Sequence, residues 1–113
     1  YPLVADAFAA ERALREDLFA LLRNRLNGVG TAIVFGSYAG GSESADSDLD
    51  ILVVSDNRKR ADDAVERLAE ELLEVYGIVL SPKVHTAGEF AAKRKTPYIR
   101  EALERGITVA GGV

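Results

Sequence analysis

Thr31-Ala32-Ile33-Val34-Phe35 runs directly into Gly36-Ser37, and ten residues later Asp48-Leu49-Asp50 opens the run Ile51-Leu52-Val53-Val54. Both apolar runs are short, rich in β-branched residues and bounded by glycine or small polar residues, the pattern of two strands. A strand repeats its side-chain direction every second residue, so Asp48 and Asp50 share a face with Cα atoms about 6.6 Å apart. Leu49, Ile51 and Val53 then form the opposite face, and Leu52 and Val54 carry the aspartate face into the core. Two carboxylates at the head of a mostly buried strand repel each other and lose hydration, at a cost of several kcal/mol on the order expected for buried ions. A divalent cation would relieve both penalties.

The Gly-Ser pair complements the aspartates. Gly36 lacks a Cβ, so the chain can turn sharply there and approach a ligand closely. A short helix beginning near Ser37 would aim free N–H groups at an anion, and Ser37 adds a hydroxyl donor. Hard oxygen ligands few in number, completed by substrate phosphates, suit Mg²⁺, with Mn²⁺ as an alternative. No cysteine and one histidine leave little for zinc.

Gly36-Ser37, ten intervening residues and Asp48-Leu49-Asp50 resemble the G-S-x10-D-x-D signature of the minimal nucleotidyltransferases of the DNA polymerase β superfamily. The resemblance extends over the flanking helices and the tail from Val79-Leu80-Ser81-Pro82 to Gly106-Ile107. It implies an α/β nucleotidyltransferase fold, palm-like, with a small mixed sheet and helices packed on it. It also implies that Gly36 and Ser37 hold the triphosphate of a nucleotide. Asp48 and Asp50 become the catalytic and metal-binding pair. The implied reaction moves a nucleoside monophosphate to a hydroxyl of a small molecule, protein or RNA and releases pyrophosphate.

Two departures from the family pattern bear on turnover. Gly40 stands where many members carry arginine. Members that turn over usually place a third acid on a later strand, yet Ile78-Val79-Leu80-Ser81-Pro82-Lys83-Val84-His85 contains none. If Val79, Ser81, Lys83 and His85 share a face, that position is neutral or basic. The residues therefore leave open a second class: a nucleotide-binding regulatory or antitoxin module that acts through a protein partner.

At 113 residues with a net charge of −4, the chain reads as one nucleotidyltransferase domain, residues 1–113, with no broad affinity for duplex DNA. No apolar run approaches the ~18–20 residues needed to cross a bilayer, and no signal peptide is visible, so the expected location is cytoplasmic, with no membrane partner. The sequence has no methionine, and its opening from Tyr1 to Phe8 resembles the junction after an N-terminal winged-helix DNA-binding domain; the expectation is a piece of a longer protein.

The periodicity predicts a helix over Glu11–Leu26 on the stripe Leu14, Leu18, Leu21, Leu22 and Leu26, ended by Asn27-Gly28. A second runs over Arg58–Tyr76 on Val65, Leu68, Leu72, Val75 and Tyr76, ended by Gly77. Thr86-Ala87-Gly88-Glu89 has the spacing of a capping box, which gives Glu89 a structural task. Pro97 suits the first position of a helix reaching Leu103, and Ile107-Thr108-Val109 reads as a final strand before a frayed end. Lys93-Arg94-Lys95 fits phosphate contacts, or more simply solvated cations near a helix C-terminus. Arg58-Lys59-Arg60 reads as a solvated helix entrance, His85 as structural, and Tyr38 either stacks on a base or packs against the first helix.

Overall fold

The computed structural model describes residues 15–44 and 46–111. A first helix, α1, covers 15–26 and ends where Gly28 takes a positive φ of 77°. Strand β1 (Thr31–Phe35) leads through the single turn α2 (Ser37–Gly40) to β2 (Leu49–Val54). Helix α3 (Arg58–Glu71) continues as a π-helical turn over Leu72–Tyr76 into β3 (Leu80–His85). Two further helices, α4 (Ala87–Ala92) and α5 (Pro97–Arg105), precede β4 (Ile107–Ala110).

The strands form one mixed sheet in the order β3-β2-β1-β4, with β1 antiparallel to both neighbours and β2 parallel to β3. Period-two alternation then sorts the side chains onto two layers. Ala32, Val34, Leu49, Ile51 and Val53 point to one face, where Leu18, Leu22 and Leu26 of α1 and Ala61, Val65 and Leu68 of α3 bury them. Ile33, Phe35 and Leu52 point to the other, under Ile99 and Ala102 of α5. Helices cover both faces of β2, which explains why its sequence is apolar beyond Asp50 on both of its sides.

The strands and the sheet-plus-helices architecture agree with the sequence expectation; the π-helical turn changes one detail. Leu72 is fully buried, but Val75 is 67% exposed rather than part of the apolar stripe. A turn wider than 3.6 residues rotates the following side chains off the helical register, so Val75 swings outward while Tyr76 packs on the core. Gly77, at φ 67°, then closes the element as expected. Glu11–Leu14 and Gly112-Val113 lie outside the described residues.

Local capping follows the sequence closely. Asn57 caps α3 by accepting from the Arg60 amide at 3.1 Å. The capping box is present: Thr86 N donates to Glu89 Oε1 at 2.9 Å and Glu89 N to Thr86 Oγ1 at 3.2 Å. Glu89 also receives Arg58 Nη1 at 2.9 and 3.0 Å, so this acid is engaged in holding α4 to α3. Pro97 occupies the first turn of α5.

His85 ends β3 buried against α5, with Nε2 2.6 Å from the Tyr98 hydroxyl and the two rings stacked at 6.0 Å. Burial, and then the positive charges of Lys93, Arg58 and Lys83, push its pKa below the ordinary value, with Glu89 opposing. The unfolded chain thus binds a proton that the folded one resists. Stability is full above the unfolded pKa near 6.5 and declines as pH falls below it toward the folded value. Thermal melts of wild type and His85→Gln should therefore diverge below that pH, the variant losing less; parallel curves would show that His85 is not proton-linked to folding.

Candidate functional site

The turn after β1 is built around Gly36. Its backbone sits at φ 73° and ψ −151°, a region that side chains with a Cβ rarely adopt. A Cβ added there would fall on Oδ2 of Asp50. The cause is register: Phe35 lies directly opposite Asp50 across the antiparallel pair, so the next residue along passes over the carboxylate. Only a glycine lets the backbone and that acid share the space.

Ser37 starts α2, and the turn closes with Gly40 N donating to Gly36 O at 3.2 Å and Ser42 N to Ser37 O at 3.0 Å. The first amides of such a turn have no partner within it and are available to an anion. Beyond it, Arg15 of α1 holds Glu43 at 2.7 Å, and Ser44 and Ser47 bond to each other at 2.9 Å through amide and hydroxyl. These contacts fasten the loop that delivers Asp48. That residue lies just ahead of β2 and is exposed, whereas Asp50 is half-buried within the strand.

Asp50 is held above the ordinary carboxylate range. Burial is the main cause; the negative charges of Asp48 and Glu101 add to it, while the Ser81 hydroxyl and Lys83 pull the other way. Ser81 is the residue in register with Asp50 on the parallel β3, and Lys83 is in register with Leu52. The acid-free segment of the sequence thus lines the site with a hydroxyl and a cation. Tyr38 is 8% exposed inside the cluster with Leu18 and Leu22, so it packs against α1 rather than facing a ligand. The charge of Glu101, exposed on α5, also reaches Asp50. Nothing in its local pattern marks it, because only the packing of α5 brings it near β2.

The four residues singled out by the motif therefore meet at one end of the sheet. The profile of the family described as "Nucleotidyltransferase domain" matches residues 17–109. The chain belongs to this family.

The nucleotidyltransferase domain is 36% identical over 96 residues to a Methanocaldococcus jannaschii protein, MJ0604, named as a candidate protein adenylyltransferase, covering 85% of this chain and 93% of that one. Two solved structures share the fold, a mutant of the toxin–antitoxin MntA–HpeT (TM-score 0.53, 18% identity) and a toxin–antitoxin with AMP-PNP (TM-score 0.52, 20% identity). In each case 87% of this chain and 73% of the other superpose. Nucleotidyltransferases generally use divalent metal ions, and the donor set here fits one. Asp48 and Asp50 offer hard oxygens, and the pKa of Asp50 is raised first by burial and then by neighbouring negative charge, both of which a bound cation would offset. No described group of three His, Cys, Asp or Glu side chains forms a complete cage, so phosphate and water oxygens would supply the remaining ligands.

No described helix is long and apolar enough to cross a membrane. A cleft of about 430 Å³ lined by Arg25, Asn57, Lys59, Arg60 and Arg67 opens near the C-terminal end of β2, away from the aspartates. Glycine geometry and charge mark the end of the sheet where Gly36 and Asp50 meet.

Proposed function

We propose that this nucleotidyltransferase domain transfers AMP from ATP, with Mg²⁺ held by Asp48 and Asp50, to a hydroxyl of a protein partner in the cytoplasm. The observation that carries the reading is the seating of the Asp50 carboxylate against Gly36 within the matched domain. The adenylyl group and the protein acceptor are supported by the name of the 36% identical relative.

The residues divide the work. Gly36 and Ser37 bind the triphosphate through turn amides and the Ser37 hydroxyl. Asp48 and Asp50 hold the metal and orient the α-phosphate. Mg²⁺, when bound, supplies positive charge to the phosphate oxygens. Ser81, beside Asp50, cannot accept a proton as a carboxylate would. That favours a second reading, in which the domain binds nucleotide as the regulatory or antitoxin half of a protein pair with little turnover.

Incubation with α-³²P-ATP or γ-³²P-ATP, together with candidate protein, RNA and small-molecule acceptors, separates these readings. Label from the α position should become attached to protein, and label from the γ position should leave as pyrophosphate. Attachment of γ label would overturn nucleotidyl transfer. Tight binding with no attached label would favour the second reading.

A further inference from the structure

The chain carries a net charge of −4, yet cations gather where the end of α1 meets the first turns of α3. We propose that the cleft between these helices is a docking site for an acidic stretch of a partner protein, separate from the end of the sheet where Gly36 and Asp50 meet.

Arg60, Ala64 and Arg67 recur at intervals of four and three residues, so they lie along one stripe of α3, with the two arginines rooted about 10.5 Å apart. Ala64 is small and leaves the floor between them open. Across the cleft, Arg25 grips Glu71 through Nε at 2.8 Å and Nη2 at 3.0 Å, which ties α1 to α3 and sets the spacing of the walls. Arg58 turns away to Glu89. Lys59, Arg60 and Arg67 are exposed, and among the described residues no ion pair engages them. Against these cations the lining sets a single described acid, Asp63.

Arg60 is also directed. Its Nη2 lies 3.7 Å from the point where a Cβ on Gly28 would stand, so the side chain reaches from α3 across to the turn that ends α1. Helix-terminal carbonyls favour a cation there, and a planar fork held in place loses less freedom when it pairs with a carboxylate.

Shape and composition select the occupant. A second hollow of about 610 Å³ shares Asn27, Val29, Asn57 and Arg60 with the first and continues to Ala87 and Gly111, so the two form one groove. Such a groove suits a polymer better than a single small anion. An extended polypeptide places side chains of one face about 6.6 Å apart, so acids two or four residues apart bracket the spacing of Arg60 and Arg67. Their forks match carboxylates in charge and geometry. Nucleic acid fits less well: no described aromatic ring lines either hollow to stack a base, and the net negative charge of the chain opposes a phosphate polymer.

Fluorescence anisotropy of the 113-residue chain with three labelled probes tests this: a short peptide of alternating glutamate and alanine, its counterpart with glutamine for glutamate, and an oligouridylate. The glutamate peptide should bind tightest, weaken as salt is raised, and bind equally well with and without saturating Mg²⁺ and ATP. Arg60→Gln combined with Arg67→Gln should reduce its affinity about tenfold, from up to about fivefold for each exposed guanidinium–carboxylate contact. Both positions are exposed on α3, so this variant should keep the fold. Arg94→Gln combined with Lys95→Gln removes the same charge from residues that do not line the groove, and should leave the affinity within about twofold of wild type because distant charges are screened. Equal binding of the glutamine peptide, equal loss in the two double variants, or displacement of the peptide by Mg²⁺ and ATP would overturn the site. Tighter binding of the oligouridylate that disappears with Arg60 and Arg67 would assign the groove to nucleic acid and overturn the proposal as well.

Discussion

Asp48→Asn combined with Asp50→Asn should reduce Mg²⁺-dependent ATP affinity by about 10²–10⁴-fold. Each carboxylate removes one charged contact worth about 1.5–3 kcal/mol, and each 1.4 kcal/mol is tenfold in affinity. The fold should survive, since the amide nearly matches the acid in volume, Asp48 is exposed and Asp50 is only half-buried. Without metal the double variant should be at least as stable as wild type near neutral pH. The reason is the direction of the Asp50 shift: its folded pKa lies above the unfolded one, so ionisation at neutral pH works against the folded state. Calorimetric titration in Mg²⁺ and in EDTA, with urea melts of both proteins, measures the two effects. Unchanged ATP affinity in a folded double variant would remove Asp48 and Asp50 from the site.

Gly36→Ala should weaken both the fold and ATP binding. A residue with a Cβ forced into that backbone region costs about 1–3 kcal/mol. The new methyl also competes with Asp50 Oδ2 for one position. Either the turn moves away from β2 or Asp50 is displaced, and both outcomes weaken ATP binding as well as the fold. The second contribution can be isolated, because Asp50→Ala removes the colliding carboxylate while the backbone strain remains. The loss for Gly36→Ala measured in the Asp50→Ala background should therefore be smaller than in wild type, a coupling expected only for residues in contact. Urea melts of the four proteins give that number. Additive losses would show that the collision is relieved without cost.

Much of the site was legible because its marks are local. A strand's two-residue period puts Asp50 and Leu52 on one side without knowledge of any neighbour. The capping box at Thr86 and Glu89, Pro97 at the start of α5 and the positive-φ glycines Gly28 and Gly77 likewise depend on backbone geometry within a few residues. Val75 escaped the pattern because the π-helical turn altered the period that the reading assumed. Tyr38 was undecided for a different reason: a helical turn can present an aromatic ring to ligand or core, and the leucines of α1 settled it.

By itself, then, the sequence determined the elements, their caps, and a glycine turn paired with two alternate aspartates, all through short-range sterics and periodicity. The tertiary structure decided what stands around those aspartates. Sheet register set Phe35 opposite Asp50 and so brought Gly36 over the carboxylate; the parallel pairing set Ser81 on its other side. The docking of α5 through Ile99 and Ala102 covered the sheet face that Asp50 shares with a helix distant in sequence, so that the charge of Glu101 reaches Asp50. Register and helix docking arise from contacts between distant segments, which no local pattern encodes, and the charge environment of Asp50 follows from them.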